Sequence, residues 1–271
     1  MYKGPFCGCA EPEDADEVDK IMEAGFLITR RPRIGPGCPT VEVTILHRSV
    51  RFWEAEQEYE FEADPKHAQI IIEKMGLAKD SRGATTAFVR EEVEGDDVVL
   101  NAVDQTLFRQ VAARANYLSL DRPDIQFAVK EVCGHMAVPT QGGVRKLKHV
   151  ARYLLQFPEV EFHYPWRYDE ELETVDVYTD SDWAGCRATR KSTSGGVVMI
   201  GGGIIKTWSK TQGPVALGSG EAEYYSMVKG SVEGLGLQTL ARKLGWGLGL
   251  RLFGDASAAN AIASRKGLGK V

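Results

Sequence analysis

From Thr174 onward the chain reads strand, strand, strand, helix, strand, helix, and few folds accept that order. "TVDVYTD" alternates like a strand, and "SGGVVMIGG" and "GIIKTWSKTQ" read as two more, joined through the glycines at 201–203. That glycine run lacks the Lys-Ser/Thr of a phosphate loop, so a tight hairpin turn explains it better. A long helix follows from Ser219 to Gly245, then a short strand, "LRLFGDA", and a helix, "SAANAIASRK". The order predicts three adjacent antiparallel strands over Thr174–Thr211. The strand leading to Asp255 should lie parallel to the first, on its other side.

Carboxylates sit at the ends of these elements. "VYTDSDWAGC" carries a β-branched and aromatic run into Asp180 and Asp182. Carboxylates are costly to bury unless paired, hydrogen-bonded or holding a metal. Taken alone, the stretch is explained by turn chemistry, since Asp and Gly commonly end strands. The wider order changes the balance. Asp180 ends the first strand, Asp255 a later one, and Glu221 or Glu223 begins the helix between them. Strand ends and a helix start can meet on one rim, where three carboxylates repel unless a hard divalent cation neutralises them. Such a set is how Mg²⁺ is held for phosphoryl chemistry.

Upstream, the first forty residues are acidic and then rich in Gly and Pro, and read as a loose segment (1–40). "VEVTILHRSVRF" (Val41–Phe52) and "EYEFEA" (Glu58–Ala63) alternate like the strands of a hairpin. In "DPKHAQIIIEKMGLA", Asp64 is a helix cap, Pro65 takes the first helical position and Gly76 closes the end. Residues 78–103 are polar and acidic and read as a linker. Gly95-Asp96-Asp97 within it is similar to the metal-binding hairpin of viral RNA polymerases, but no suitable carboxylates flank it, and a solvated acidic linker accounts for it. Three helical patterns run from Asp104 to Phe157. The third sets Arg145, Lys146, Lys148, His149 and Arg152 opposite Leu147, Val150, Ala151 and Leu154. That basic face is either solvated or contacts phosphates.

The net charge of −5, from 33 Lys and Arg against 38 Asp and Glu, argues against a generally basic nucleic-acid binder but leaves room for local patches. Five scattered cysteines without a signal peptide point to a reduced, intracellular protein, cytoplasmic or nuclear. Cys7-x-Cys9 lacks the second pair of a structural zinc site, and His47 is distant. No apolar run reaches the length of a membrane span.

The run "YTDSDWAG … RKSTSGGVVMIGGG … TWSKTQGPVALGSGEAEYYSM" resembles the ribonuclease H domain of copia-type LTR retrotransposons. "EADPKHAQIIIEKMGL", "ARANYLSLDRPDIQFAVKEV" and "RKLKHVARYLL" are similar to the end of its reverse transcriptase. The resemblance covers about Val41 to Val271. It implies an α/β chain: a small α+β hairpin-plus-helices region like a reverse-transcriptase thumb or connection (41–160), then a ribonuclease H-like mixed sheet with helices (172–271), truncated at its C-terminus.

The implied chemistry is two-metal hydrolysis of the RNA strand of an RNA/DNA hybrid, with Mg²⁺ as cofactor and Mn²⁺ as a substitute. The implied ligands and catalytic residues are Asp180, Glu223 and Asp255. Asp180 matches the family's Tyr-Thr-Asp, leaving Asp182 as the alternative acid in the turn. Glu223, followed by Tyr224, Ser226 and Met227, fits the family register better than Glu221, which the helix dipole would favour at the N-terminus. Lys191, Arg190, Lys206, Lys210 and Gln212, with Arg145, Lys148 and Arg152, are candidate contacts to the hybrid backbone or solvated edges. The polymerase carboxylates and a fourth nuclease ligand are missing, so an inactive nucleic-acid-binding remnant is the alternative. The remaining implied partner is the rest of the polyprotein.

Overall fold

The computed structural model describes residues 12–25, 32–90, 95–165 and 173–265. Within them the chain is a mixed α/β protein with two four-stranded sheets. Cys7 and Cys9, and the last residues of "RKGLGKV", lie outside the described residues.

The N-terminal stretch departs from the loose segment expected: Pro12–Gly25 forms a helix, α1. Arg33 spans Asp16 and Asp19, a turn apart on it, at 2.8 and 2.7 Å. "VEVTILHRSVRF" is likewise two strands, β1 (Glu42–Ile45) and β2 (Arg48–Trp53). The break falls at Leu46 and His47, both left-handed (φ 53° and 67°), which is the backbone of a two-residue hairpin turn despite unfavourable residue types. β3 (Glu58–Glu62) pairs with β2, and β4 (Glu161–Pro165) adds to β3 from a hundred residues downstream.

The helix expected after Asp64 forms as α2 (Pro65–Lys74), with the Lys66 N–H donating to Asp64 Oδ1 at 2.9 Å. α3 (Ala102–Leu118) starts two residues earlier than the pattern suggests because Asn101 caps it, accepting from the N–H groups of Val103 and Asp104. α4 (Pro123–Cys133) and α5 (Gln141–Gln156) complete a helical cluster cored by Ile71, Phe108, Ile125, Leu147 and Leu154. The linker at 78–103 is partly docked on this cluster. Leu100 is buried, Phe88 meets Phe127 edge-on at 5.0 Å, and Val99 bridges Thr140.

The second sheet has the expected topology. β5 (Thr174–Asp182), β6 (Thr193–Ile200) and β7 (Gly203–Thr211) are consecutive and antiparallel, and β8 (Gly249–Phe253) runs parallel to β5 on its far side. α6 (Ser219–Lys243) lies on one face and α7 (Ser257–Ala263) packs on α6. Val175, Val177 and Val198 are fully buried beneath α6. Gly230 and Gly234 let it come close. A Cβ on Gly230 would stand 2.3 Å from Thr179 Cγ2, and one on Gly234 2.6 Å from Leu250 Cδ1. Gly234→Val should therefore destabilise by about 1–3 kcal/mol through overpacking. Chemical unfolding that left the midpoint unchanged would contradict this contact.

The helical cluster abuts the second sheet at α4 and β7. Lys130 Nζ donates to Thr193 Oγ1 at 2.7 Å, and Tyr164 Oη donates to the Ile204 carbonyl at 3.0 Å. Among the described residues, no helix is long and apolar enough to cross a membrane.

Candidate metal centre

Asp180, Glu223 and Asp255 come together. One carboxylate oxygen of each lies within 4.8 Å of the others. Asp180 is on β5, which runs two residues past it to Asp182; Glu223 is in the second turn of α6; Asp255 follows β8 by two residues. Parallel pairing of β5 with β8 carries the two aspartates to one end of the sheet. Ser226 Oγ donates to the Asp180 carbonyl at 2.7 Å and tethers α6 to that strand end. Thr179 Oγ1 donates to the Phe253 carbonyl at 3.3 Å, and Asn260 Nδ2 to the Gly254 carbonyl at 3.1 Å, holding the approach to Asp255.

The three acids sit in different surroundings. Asp180 and Asp255 are exposed, whereas Glu223 is only 9% exposed. Glu223 Oε1 accepts from the Ser181 N–H at 3.2 Å and from Ser181 Oγ at 2.9 Å. Its Oε2 is buried without a hydrogen-bond partner. Burial first, then repulsion from Asp180 and Asp255, raises the Glu223 pKa against the opposing Ser181 hydrogen bonds. A buried carboxylate oxygen left unpaired beside two exposed acids is the donor set a hard divalent cation takes. The residues fit Mg²⁺ on that ground.

Among curated proteins, the chain is 37% identical over 130 residues to the "Uncharacterized mitochondrial protein AtMg00810" of Arabidopsis thaliana, covering 48% of this chain and 53% of that one. It is 34% identical over 142 residues to the "Retrovirus-related Pol polyprotein from transposon RE1" of the same plant, covering 52% of this chain and 10% of the polyprotein. It is 31% identical over 133 residues to the "Secreted RxLR effector protein 161" of Plasmopara viticola, covering 49% of this chain and 92% of that one. The chain is related to retrotransposon Pol polyproteins such as those of RE1 and RE2. The match therefore spans about half of the mitochondrial relative and a tenth of the transposon polyprotein. No protein-family model matches the chain.

In this retrotransposon-related chain the two alternative acids are engaged elsewhere. Asp182 Oδ1 accepts from the Thr193 N–H, its carboxylate packs on Gly185, and Oδ2 lies 3.8 Å from Arg90. Glu221 accepts from the Leu217 N–H at 2.7 Å and from Tyr225 Oη at 3.2 Å, bracing the loop that precedes α6.

The candidate backbone contacts divide. Lys210 and Arg190 are exposed and Lys191 half-buried, near the end of the sheet that carries the carboxylates. Lys206 pairs with Glu233 of α6 at 2.5 Å. Gln212 departs from the expectation: it is 7% exposed, and its amide donates to Ser194 Oγ at 3.0 Å and to the Ala222 carbonyl at 2.8 Å. Its side chain joins β6 to α6, for which an isolated Gln on a strand pattern provides no signal. Arg145 pairs with Asp96, while Lys148 and Arg152 are exposed on α5. α5 packs on α2 and α4, and α4 separates it from the second sheet. The structure does not bring these three to the carboxylates.

Proposed function

We propose that this chain is a ribonuclease H-like, Mg²⁺-dependent hydrolase of the RNA strand in RNA/DNA hybrids, with Asp180, Glu223 and Asp255 as the metal-binding and catalytic set. The convergence of these three carboxylates around the unpaired Glu223 Oε2 carries the reading. The order of β5, β6, β7, α6 and β8 is compatible with the fold, and the kinship with transposon Pol polyproteins supports the setting.

When bound, a pair of divalent ions would activate water and stabilise the leaving 3′ oxygen. The residues' own tasks follow from the geometry. Ser181 holds Glu223 by two hydrogen bonds, so that its second oxygen stays directed away from solvent. The Ser226 and Thr179 hydroxyls fix the backbone on which Asp180 and Asp255 are carried. Hybrid preference would rest on duplex shape and 2′-hydroxyl contacts, with little dependence on sequence.

The test is Mg²⁺-dependent fragmentation of the RNA strand of an end-labelled hybrid, with the DNA strand left intact and chelation stopping the reaction. A second reading, a nucleic-acid-binding remnant that does not cleave, is favoured by one observation. Among the described residues the cluster holds three ligand residues and no fourth. Hybrid binding without any RNA fragmentation, in Mg²⁺ and in Mn²⁺, would decide for that reading.

Polymerisation is not part of the proposal. The Asp96 carbonyl accepts from the Gly142 N–H at 2.9 Å and its carboxylate pairs with Arg145, tying the acidic turn to the start of α5. Given a primed template, dNTPs and Mg²⁺, the chain should extend nothing. Template-dependent products would show that Asp96 and Asp97 do hold catalytic metal.

A further inference from the structure

Two loops beside the carboxylates are clasped together by an aromatic side chain. Trp183, three residues past Asp180, donates its Nε1–H to the Ala216 carbonyl at 3.2 Å. The contact joins the β5–β6 turn to the loop that leads into α6. Both loops are anchored from within. The Ala184 N–H donates to Ser192 Oγ at 2.9 Å, and the Leu217 N–H donates to Glu221 at 2.7 Å. Ala216 is buried between its neighbours, yet Trp183, Val215 and Leu217 are 50%, 48% and 90% exposed.

Single exposed apolar residues are ordinary, but an indole and two aliphatic side chains grouped on tied-down loops form a displayed surface. Its setting selects an occupant. The same β5–β6 turn exposes Arg187 and Arg190, Lys191 follows on its return, and Arg90 reaches Asp182 at 3.8 Å. Arg90 is offset by Asp182, but with divalent ions neutralising Asp180, Glu223 and Asp255 at the same rim, Arg190 and Lys191 complement a phosphate backbone.

Resting on the function proposed above, we infer that Trp183, Val215 and Leu217 form an apolar ledge that seats the sugar and base edges of the hybrid next to the scissile phosphate. A wide, shallow minor groove presents such edges to side chains, whereas a flexible single strand does not hold them in place. The cations align the backbone. The ledge distinguishes a duplex from a single strand.

The experiment measures binding of a short RNA/DNA hybrid, and of the same RNA unpaired, with Ca²⁺ replacing Mg²⁺ so that nothing is cut. Leu217→Ala should weaken hybrid binding about tenfold, the cost of losing one buried aliphatic side chain. Leu217→Met should restore most of that affinity. Both variants should bind unpaired RNA and titrate Mg²⁺ as the parent does. Hybrid should also change the tryptophan emission of the parent, and Trp183→Phe should lose that change. Parent-like hybrid binding by Leu217→Ala together with an unaltered emission response in Trp183→Phe overturns the ledge while leaving the nuclease reading intact. A shift in oligomeric state in Leu217→Ala at unchanged hybrid affinity also overturns it, because the patch would then meet protein. A parent chain that binds no hybrid overturns both readings.

Discussion

Asp180→Asn is expected to weaken Mg²⁺ binding by more than the roughly 10–100-fold that loss of an outer-shell partner costs a metal site. Hybrid cleavage should vanish with it. Asp182→Asn should change both little. The two residues differ by two positions and carry the same charge, so the comparison isolates placement. Asp180 is exposed within the 4.8 Å cluster, whereas Asp182 is spent on the Thr193 N–H and the approach of Arg90. Removing one of three carboxylates removes a ligand and about one unit of attraction for a divalent ion. Asp182→Ala should instead cost about 1–3 kcal/mol of stability, because it strands a backbone donor at the turn. Equal Mg²⁺ affinity in the two Asn variants, measured by calorimetric titration, would remove Asp180 from the site.

The metal-free protein supplies a check of opposite sign. The Glu223 pKa is raised in the folded state, by burial and then by its two acidic neighbours. Its favourable contribution is therefore fully present below the unfolded value of about 4.3 and is lost as pH rises through the folded value. In chelator, Asp180→Asn should lose less stability than the parent over that rise. With Mg²⁺ the order should reverse, since only the parent gains the ligand's stabilisation. Parallel melting curves for the two proteins at every pH would contradict the repulsion.

Arg122→Ala is expected to destabilise the protein by about 3–5 kcal/mol, the usual cost of breaking a buried ion pair. The Arg122 residue is 1% exposed. Its guanidinium donates to both oxygens of Asp124, at 2.9 and 2.7 Å, and to the carbonyls of Pro158 and Phe157, each at 2.9 Å. One side chain thus ties the start of α4 to the exit of α5, where the chain turns toward β4. Arg122→Lys should recover less than half of the loss, because an ammonium cannot serve the planar fork. Urea unfolding of Arg122→Ala, Asp124→Ala and the double variant would measure the coupling. Additive losses in that cycle would mean that the Arg–Asp pair contributes nothing of its own.

The parts legible in sequence were those with local causes. Asp64, Pro65 and Gly76 delimit α2 through capping chemistry that needs no distant partner, and the hydrophobic period places α5. Strands at two-residue period joined by tight turns make β5, β6 and β7 readable, and a helix crossover makes β8 parallel to β5. Carboxylates at those strand ends were therefore visible as a possible set. The rest depended on partners remote in the chain. "EFHYP" becomes β4 only because β3 offers it an edge a hundred residues upstream. Leu46 and His47 turn because the flanking strands pair, against the residues' own preference. The choice between Glu221 and Glu223 could not come from α6 alone, since two residues apart on a helix face different ways. Where the two lie depends on the close seating of α6 at Gly230 and Gly234 and on Ser181, which together put Glu223 against β5 and leave Glu221 to its own loop. Gln212 is buried for the same reason: pairing of β7 with β6 brings its amide under α6, and no local pattern encodes a contact that only three assembled elements create.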